Sequence, residues 1–257
     1  MTDQPSSFVW YELMTEDVDA ATDFYEKVVG WNSEPFEGSG MRYIVVSAGK
    51  GGVGGIMAIP EEAKAHGAKP GWMGYIGVPD TDAAAARIEA AGGTIHKAPT
   101  DIPNVGRFAV VADPQGAPFM LMTPSSDNPP PPPATNTGRV GWHELMAGEM
   151  KGAFSFYADQ FGWTNTHDHP MGPMGVYRLF AAGGEEPIGG MMTKPDIVPR
   201  PGWTYYFNVE GIDAAVERIK TNGGEIANGP MEVPGESWVV QAKDPQGAVF
   251  ALLSAKR

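Results

Sequence analysis

One eight-residue pattern, met twice, limits what this chain can become: Ala112-Asp113-Pro114-Gln115-Gly116-Ala117-Pro118-Phe119 and Lys243-Asp244-Pro245-Gln246-Gly247-Ala248-Val249-Phe250. The two aspartates stand 131 residues apart (113 and 244) in a chain of 257. Trp10-Tyr11-Glu12-Leu13-Met14 returns as Trp142-His143-Glu144-Leu145-Met146, and Pro70-Gly71-Trp72 as Pro201-Gly202-Trp203, at nearly the same offset. The chain is therefore a tandem duplication, a fact that precedes any other fold argument. Within the first half, Asp17-Val18-Asp19-Ala20-Ala21 through Gly30 is echoed by Asp80-Thr81-Asp82-Ala83-Ala84 through Gly93. Each half is thus two small related modules, four in all.

The twice-met pattern has the chemistry of a tight turn: Asp accepts backbone hydrogen bonds, Pro presets φ, and Gly supplies φ > 0. Apolar runs flank each copy, so each predicts a hairpin closing a unit. Upstream, Phe8 to Met14 reads as a strand. A helix follows from about Asp17 to Val29, with Ala21, Phe24, Tyr25 and Val28 on one face and Gly30 at the C-terminal cap. Strands near Asn32 to Glu37, Arg42 to Ala48 and Val53 to Ile59 complete a βαβββ module. The second module repeats the order: strand Met73 to Val78, helix Asp80 to Ala91, and strands Thr94 to Ala98, Arg107 to Ala112 and Ala117 to Met122. Gly49-Lys50-Gly51-Gly52-Val53-Gly54 fits a dinucleotide-binding spacing but leads into a strand rather than a helix, so it reads as a flexible hairpin.

These elements predict domains at residues 1–123 and 139–257, joined by a linker at 124–138 whose five prolines, Pro129 to Pro133, favour an extended spacer. A hydrophobic fraction of 42% is enough for two cores of that size. There is no cysteine, hence no disulfide frame, thiolate metal site or cysteine nucleophile. The net charge of −13 is spread over both halves without a basic stripe, which argues against nucleic acid and anionic membranes as partners. The N-terminus lacks the basic and apolar regions of a signal peptide, and no apolar run is long enough to span a bilayer. The expectation is a cytoplasmic protein.

Strand, helix with Phe24-Tyr25 and Gly30-Trp31, then the Asp-Pro-Gln-Gly hairpin: this order resembles the vicinal oxygen chelate superfamily of glyoxalases, bleomycin-resistance proteins and extradiol dioxygenases. The second half repeats it as Phe156-Tyr157, Gly162-Trp163 and Asp244-Pro245-Gln246-Gly247. The resemblance implies an α+β fold of tandem βαβββ modules, paired into two domains whose mixed sheets curl into cups. Carried over position by position, the family's metal ligands fall on Trp10, Met73 and Met120 in the first half and on Trp142, Thr204 and Ala251 in the second. The remaining ligand falls among Ile44, Val45 and Val46, or Tyr177, Leu179 and Phe180. None of these side chains substitutes for imidazole or carboxylate around a divalent metal, so no metal and no other cofactor is expected at those positions.

Strand alternation puts Glu12 on the face of Trp10 and Glu144 on the face of Trp142, with Leu13 and Leu145 toward the helices. If those faces line the cups, each carboxylate either recognises a ligand or acts as a general base; alternatively each is fixed by a local Arg, Tyr or backbone partner. Tyr75 and Tyr206, with the two tryptophans, form candidate aromatic walls, and otherwise simply fill a core. His143 points away from Glu144. His167-Asp168-His169 offers alternating imidazoles without an equivalent in the first half, and two histidines fall short of a full ligand set.

The expected ligand-binding residues are Trp10, Glu12, Tyr75, Met120, Trp142, Glu144, Thr204 and Tyr206. The expected function is binding, and sequestering, of a small organic ligand of flat or aromatic shape; the alternative is a divergent lyase, isomerase or oxygenase with a non-standard site, and a third is a noncatalytic scaffold. The duplication forms an intrachain pseudo-dimer, compatible with a monomer or a homodimer. Where Ala251 replaces Met120, space opens that a ligand or a neighbouring side chain has to fill.

Overall fold

The computed structural model describes residues 6–37, 41–125 and 137–257. Most of the proline linker lies outside them. The first half runs β1 (Phe8–Thr15), α1 (Val18–Val29), β2 (Asn32–Pro35), β3 (Tyr43–Ala48), β4 (Gly51–Ala58), α2 (Glu61–Ala65), β5 (Gly71–Gly77), α3 (Thr81–Ala90), β6 (Thr94–Ile102), β7 (Gly106–Ala112) and β8 (Pro118–Pro124). The second half repeats it as β9 (Val140–Ala147), α4 (Met150–Phe161), β10 (Thr164–Pro170), β11 (Val176–Ala181), β12 (Gly189–Thr193), β13 (Gly202–Asn208), α5 (Ile212–Thr221), β14 (Glu225–Val233), β15 (Ser237–Lys243) and β16 (Val249–Ser254). The fold is α+β, as the repeat pattern predicts. Strand order is β2-β3-β4-β1-β5-β8-β7-β6 in one eight-stranded sheet and β10-β11-β12-β9-β13-β16-β15-β14 in the other. Neither closes on itself. The short helix α2 was not announced by the periodicity, because its five residues bury nothing.

Two compact units arise, and each draws on both halves of the sequence. One comprises the described residues of 1–9, 73–130 and 143–203; the other those of 10–72, 131–142 and 204–257. The twice-met turn explains this pairing of the second module with the third, and of the first with the fourth. In the first unit, Asp113 Oδ1 accepts from the backbone N–H groups of Gln115 and Ala117, and Oδ2 from Tyr157 Oη at 3.2 Å. Tyr157 in turn accepts from Trp203 Nε1 at 3.1 Å. Gln115 then reaches the start of α4, donating to Glu149 O and accepting from Glu149 N. The second unit repeats this with Asp244, Tyr25 and Trp72, and there Gln246 accepts from the N–H groups of Glu16 and Asp17 at the start of α1. The motifs that mark the family in sequence meet in space as one hydrogen-bonded chain per unit.

The Gly-Trp pair that ends each first helix is a second clamp. Gly30 takes φ +87 and closes α1 by donating to Glu26 O; Gly162, at φ +71, does the same for α4 with Ala158 O. Trp31 Nε1 then donates to Gly138 O in the second unit, and Trp163 Nε1 to Ser6 O in the first, both at 2.6 Å. Each tryptophan holds the chain just ahead of a first strand. Beside Gly138, Arg139 is almost fully buried and donates to the carbonyls of Gly51 and Gly52 at 2.8 Å. Burial holds its guanidinium below the usual range.

Burial pushes the carboxyl groups of Asp113 and Asp244 upward, against the backbone and tyrosine hydrogen bonds that favour their ionised forms. Replacing either by Ala takes the side-chain acceptor away from two backbone N–H groups and a buried phenol. Asp113→Ala and Asp244→Ala are each expected to lower unfolding free energy by about 2–4 kcal/mol. Urea unfolding followed by tryptophan fluorescence checks this, and a loss below about 0.5 kcal/mol would count against the clamp.

Candidate functional site

In the second unit, Glu12 stands on β1 opposite Gly55 of the parallel strand β4. Tyr43, at the start of β3, lays its ring across that glycine, and a Cβ at Gly55 would overlap the phenol. Tyr43 Oη donates to the Glu12 carboxylate and accepts from Trp10 Nε1 at 2.9 Å. The Trp10 ring lies on Gly52, where a Cβ would come within 3.0 Å of two ring atoms. The glycine run that resembles a nucleotide fingerprint is thus the start of a strand. Gly52 within it and Gly55 just after it make the floor on which Trp10 and Tyr43 rest.

The first unit repeats the device. Glu144 on β9 is in register with Gly190 of β12, the ring of Tyr177 covers Gly190, and Tyr177 Oη donates to Glu144 Oε1 at 3.1 Å. Both carboxylates are buried, at 6% and 8% exposure. Burial and the Glu12 charge drive the Tyr43 phenol far above its usual range, so it stays protonated and acts as a donor. The local tyrosine partner foreseen as one alternative for Glu12 and Glu144 is therefore present in both repeats.

The remaining expected site residues fall into two smaller groups. In the second unit, Tyr206 pairs in register with Ala251, which pairs with Gln241, and Gln241 Nε2 donates to Tyr206 Oη at 2.7 Å across the small alanine. Thr204 and Trp142, also in this unit, are half-buried. In the first unit, Tyr75 pairs with Met120 and Met120 with Val110, so the same row is apolar; Tyr75 is buried beside Phe108, ring centroids 6.4 Å apart. Tyr43 and Gln241 were not singled out from sequence, and Tyr177 entered only as one position for the family's remaining ligand. The two tyrosines recur at an offset of 134 residues (43 and 177) rather than 131 or 132, a slip that hides the pair from simple superposition.

His143 points away from Glu144, as alternation predicts: it stacks on Phe8, centroids 4.4 Å apart, and its Nδ1 lies 2.7 Å from Ile188 O. A carbonyl only accepts, so Nδ1 carries the proton. At the family's metal-ligand positions the structure offers Trp10, Met73 and Met120, or Trp142, Thr204 and Ala251. Among the described residues no group of three or more His, Asp or Glu converges as a ligand set. The donors present do not fit the family's divalent metal at those positions. Among the described residues no helix is long and apolar enough to cross a membrane.

Two predictions follow from this geometry. Burial draws the His143 imidazole down from 6.5 to about 4, with the Ile188 bond opposing. The unfolded chain thus takes up a proton near pH 6.5 while the folded one does not until about 4, so stability falls as pH drops through that window, by on the order of 3 kcal/mol. Chemical denaturation at stepped pH should show His143→Asn losing less stability than the parent between pH 6.5 and 4; parallel curves would refute it. Gly55→Ala should cost about 1–3 kcal/mol by displacing Tyr43. In a Tyr43→Ala background that cost should shrink by more than about 0.5 kcal/mol, and additive effects in the double-mutant cycle would mean that the ring does not rest on the glycine.

Comparison with known proteins accords with this architecture. The family model described as Glyoxalase/Bleomycin resistance protein/Dioxygenase superfamily matches residues 7–121 and 139–252. The chain is 30% identical to "Putative glyoxylase CFP32" of Mycobacterium tuberculosis over 95% of its length and 93% of the relative's. It is 28% identical to "Anthracycline biosynthesis protein DnrV" of Streptomyces peucetius over 98% of its length and 94% of the relative's. Among solved structures, the 2,3-dioxygenase LapB from Pseudomonas sp. KL28 superposes with a TM-score of 0.68 at 14% identity, covering 100% of this chain and 94% of that one. The Mn(II)-bound glyoxalase from Novosphingobium aromaticivorans gives 0.67 at 16% identity, covering 99% and 83%. With two matched repeats spanning nearly its whole length, the chain belongs to the glyoxalase/bleomycin resistance protein/dioxygenase superfamily.

Proposed function

We propose that this protein binds and sequesters a flat, aromatic small molecule at its buried carboxylates, rather than turning it over at a metal. The observation that carries this reading is the phenol–carboxylate pair, present in both repeats and extended to Trp10 in the second unit, in a chain whose metal-ligand positions hold no metal-binding side chains. A carboxylate in a desolvated setting rewards a ligand hydroxyl or amine strongly. The neighbouring indole offers a face for ring stacking. Tyr75, Met120, Thr204 and Tyr206 belong to the same proposed lining, each within its own unit.

Two relatives are named for anthracycline biosynthesis, which makes an anthracycline, a planar polycycle bearing hydroxyl groups, the first probe. Titration followed by the probe's own fluorescence should show saturable binding with recovery of unchanged compound. Conversion of excess probe to product would replace the sequestering reading with an enzymatic one, and absence of binding across a panel of planar polyphenols would remove it. The polar row that Gln241 and Tyr206 make across Ala251 lies in the same unit as Glu12 and Trp10, where Trp10 also joins the phenol–carboxylate pair, and favours that unit's residues as the tighter contacts. Glu12→Gln and Trp10→Ala should therefore weaken binding by roughly tenfold or more, and further than Glu144→Gln, without unfolding. Isothermal titration decides this, and equal or reversed losses would overturn the ranking.

A further inference from the structure

We propose that His167 and His169 form a site for a borderline divalent transition metal ion, such as zinc or nickel, on the edge strand β10. The proposal is independent of the sequestering reading and concerns positions outside the family's ligand set. Strand β10 ends its sheet order, and the two histidines lie two residues apart on it. Their ring centroids are 6.4 Å apart with planes at 48°. Two imidazoles sharing one ion at metal–nitrogen distances of roughly 2.0–2.1 Å, with an angle of about 90–110° between them, have centroids about 4.5–5.3 Å apart, so the rings have to close by about 1 Å through side-chain rotation to share it.

The residue between them is what makes this pair a built feature. Asp168 accepts two hydrogen bonds from Arg178 on β11, Nε to Oδ1 and Nη2 to Oδ2, both at 2.7 Å. Arg178 itself lies over the Phe154 ring at 4.8 Å. This fork pins the middle of the strand, so the flanking imidazoles share a side of the pleat. It also commits Asp168 to arginine, leaving the remaining coordination positions to water or to donor atoms of a bound molecule. His167 is exposed and His169 half-buried, so the ion has access from solvent. His169 pairs across the strands with Tyr177, the phenol that holds Glu144, so the ion would sit on the same face as that pair. The other repeat has Pro35 and Phe36 near this place, and Phe36 packs edge-on against Tyr43. The site is therefore peculiar to the second repeat.

The test uses tag-free, chelator-stripped full-length protein titrated calorimetrically with zinc and, separately, nickel. We expect one ion per chain at micromolar affinity, weakened at least roughly tenfold by His167→Asn and by His169→Asn, with unchanged melting temperatures. His96→Asn should stay within about twofold of the parent. Nitrogen-15 NMR of the unsubstituted protein with zinc supplies a readout that needs no variant: the ring nitrogens of His167 and His169 should shift together. No measurable binding, retention of affinity in the double variant, or shifts spread over all five histidines would overturn the proposal.

Discussion

A carboxylate buried inside a hairpin turn is costly unless donors converge on it, and this fold is built around two such carboxylates. Asp113 and Asp244 each gather two backbone N–H groups from their own turn and one phenol from a distant helix. That phenol is in turn fixed by an indole. The glutamine two residues further on reaches the first turn of the same helix, where backbone groups otherwise lack partners. Turn, helix and strand are tied by polar geometry, which is directional in a way that apolar packing is not. This is why the second module joins the third and the first joins the fourth within each compact unit.

The same clamps explain what the sequence made legible. Asp-Pro-Gln-Gly, Phe-Tyr, Gly-Trp and Pro-Gly-Trp are visible because each requires particular residue types: a turn carboxylate, a phenol that reaches it, an αL glycine, an indole donor. They repeat because the contacts repeat. Read in order they yield the modules, the duplication and the family, and the helices and strands fall close to where periodicity put them. Strand β6 runs on to Ile102 rather than stopping near Ala98, since its later residues are largely exposed and carry little apolar pattern.

The candidate site was only half legible. Alternation found Glu12, Glu144 and the faces they share with Trp10 and Trp142, since that rule depends on one strand alone. It could not find Tyr43 or Tyr177, whose role depends on register across three strands and on the absence of a side chain between them. Gly55 and Gly190 look like strand-weakening residues in a linear reading. In the folded chain they are the clearance that lets a phenol lie flat over a neighbouring strand and meet a buried glutamate.

The same logic of clearance separates the two repeats. At Ala251 the missing methionine side chain leaves a gap between β13 and β15, and Gln241 extends through it to Tyr206. The corresponding row, Tyr75, Met120 and Val110, has neither the gap nor the polar group. A single small residue has thus exchanged an apolar contact for a polar one without disturbing the strands, because a neighbour rather than a void took up the volume. His169 standing beside Tyr177, where Phe36 stands beside Tyr43, adds polarity to the second repeat in the same direction. The clamps hold both repeats to one backbone, so differences between the repeats collect in residues the clamps do not use. Those are the residues from which distinct binding properties can be made.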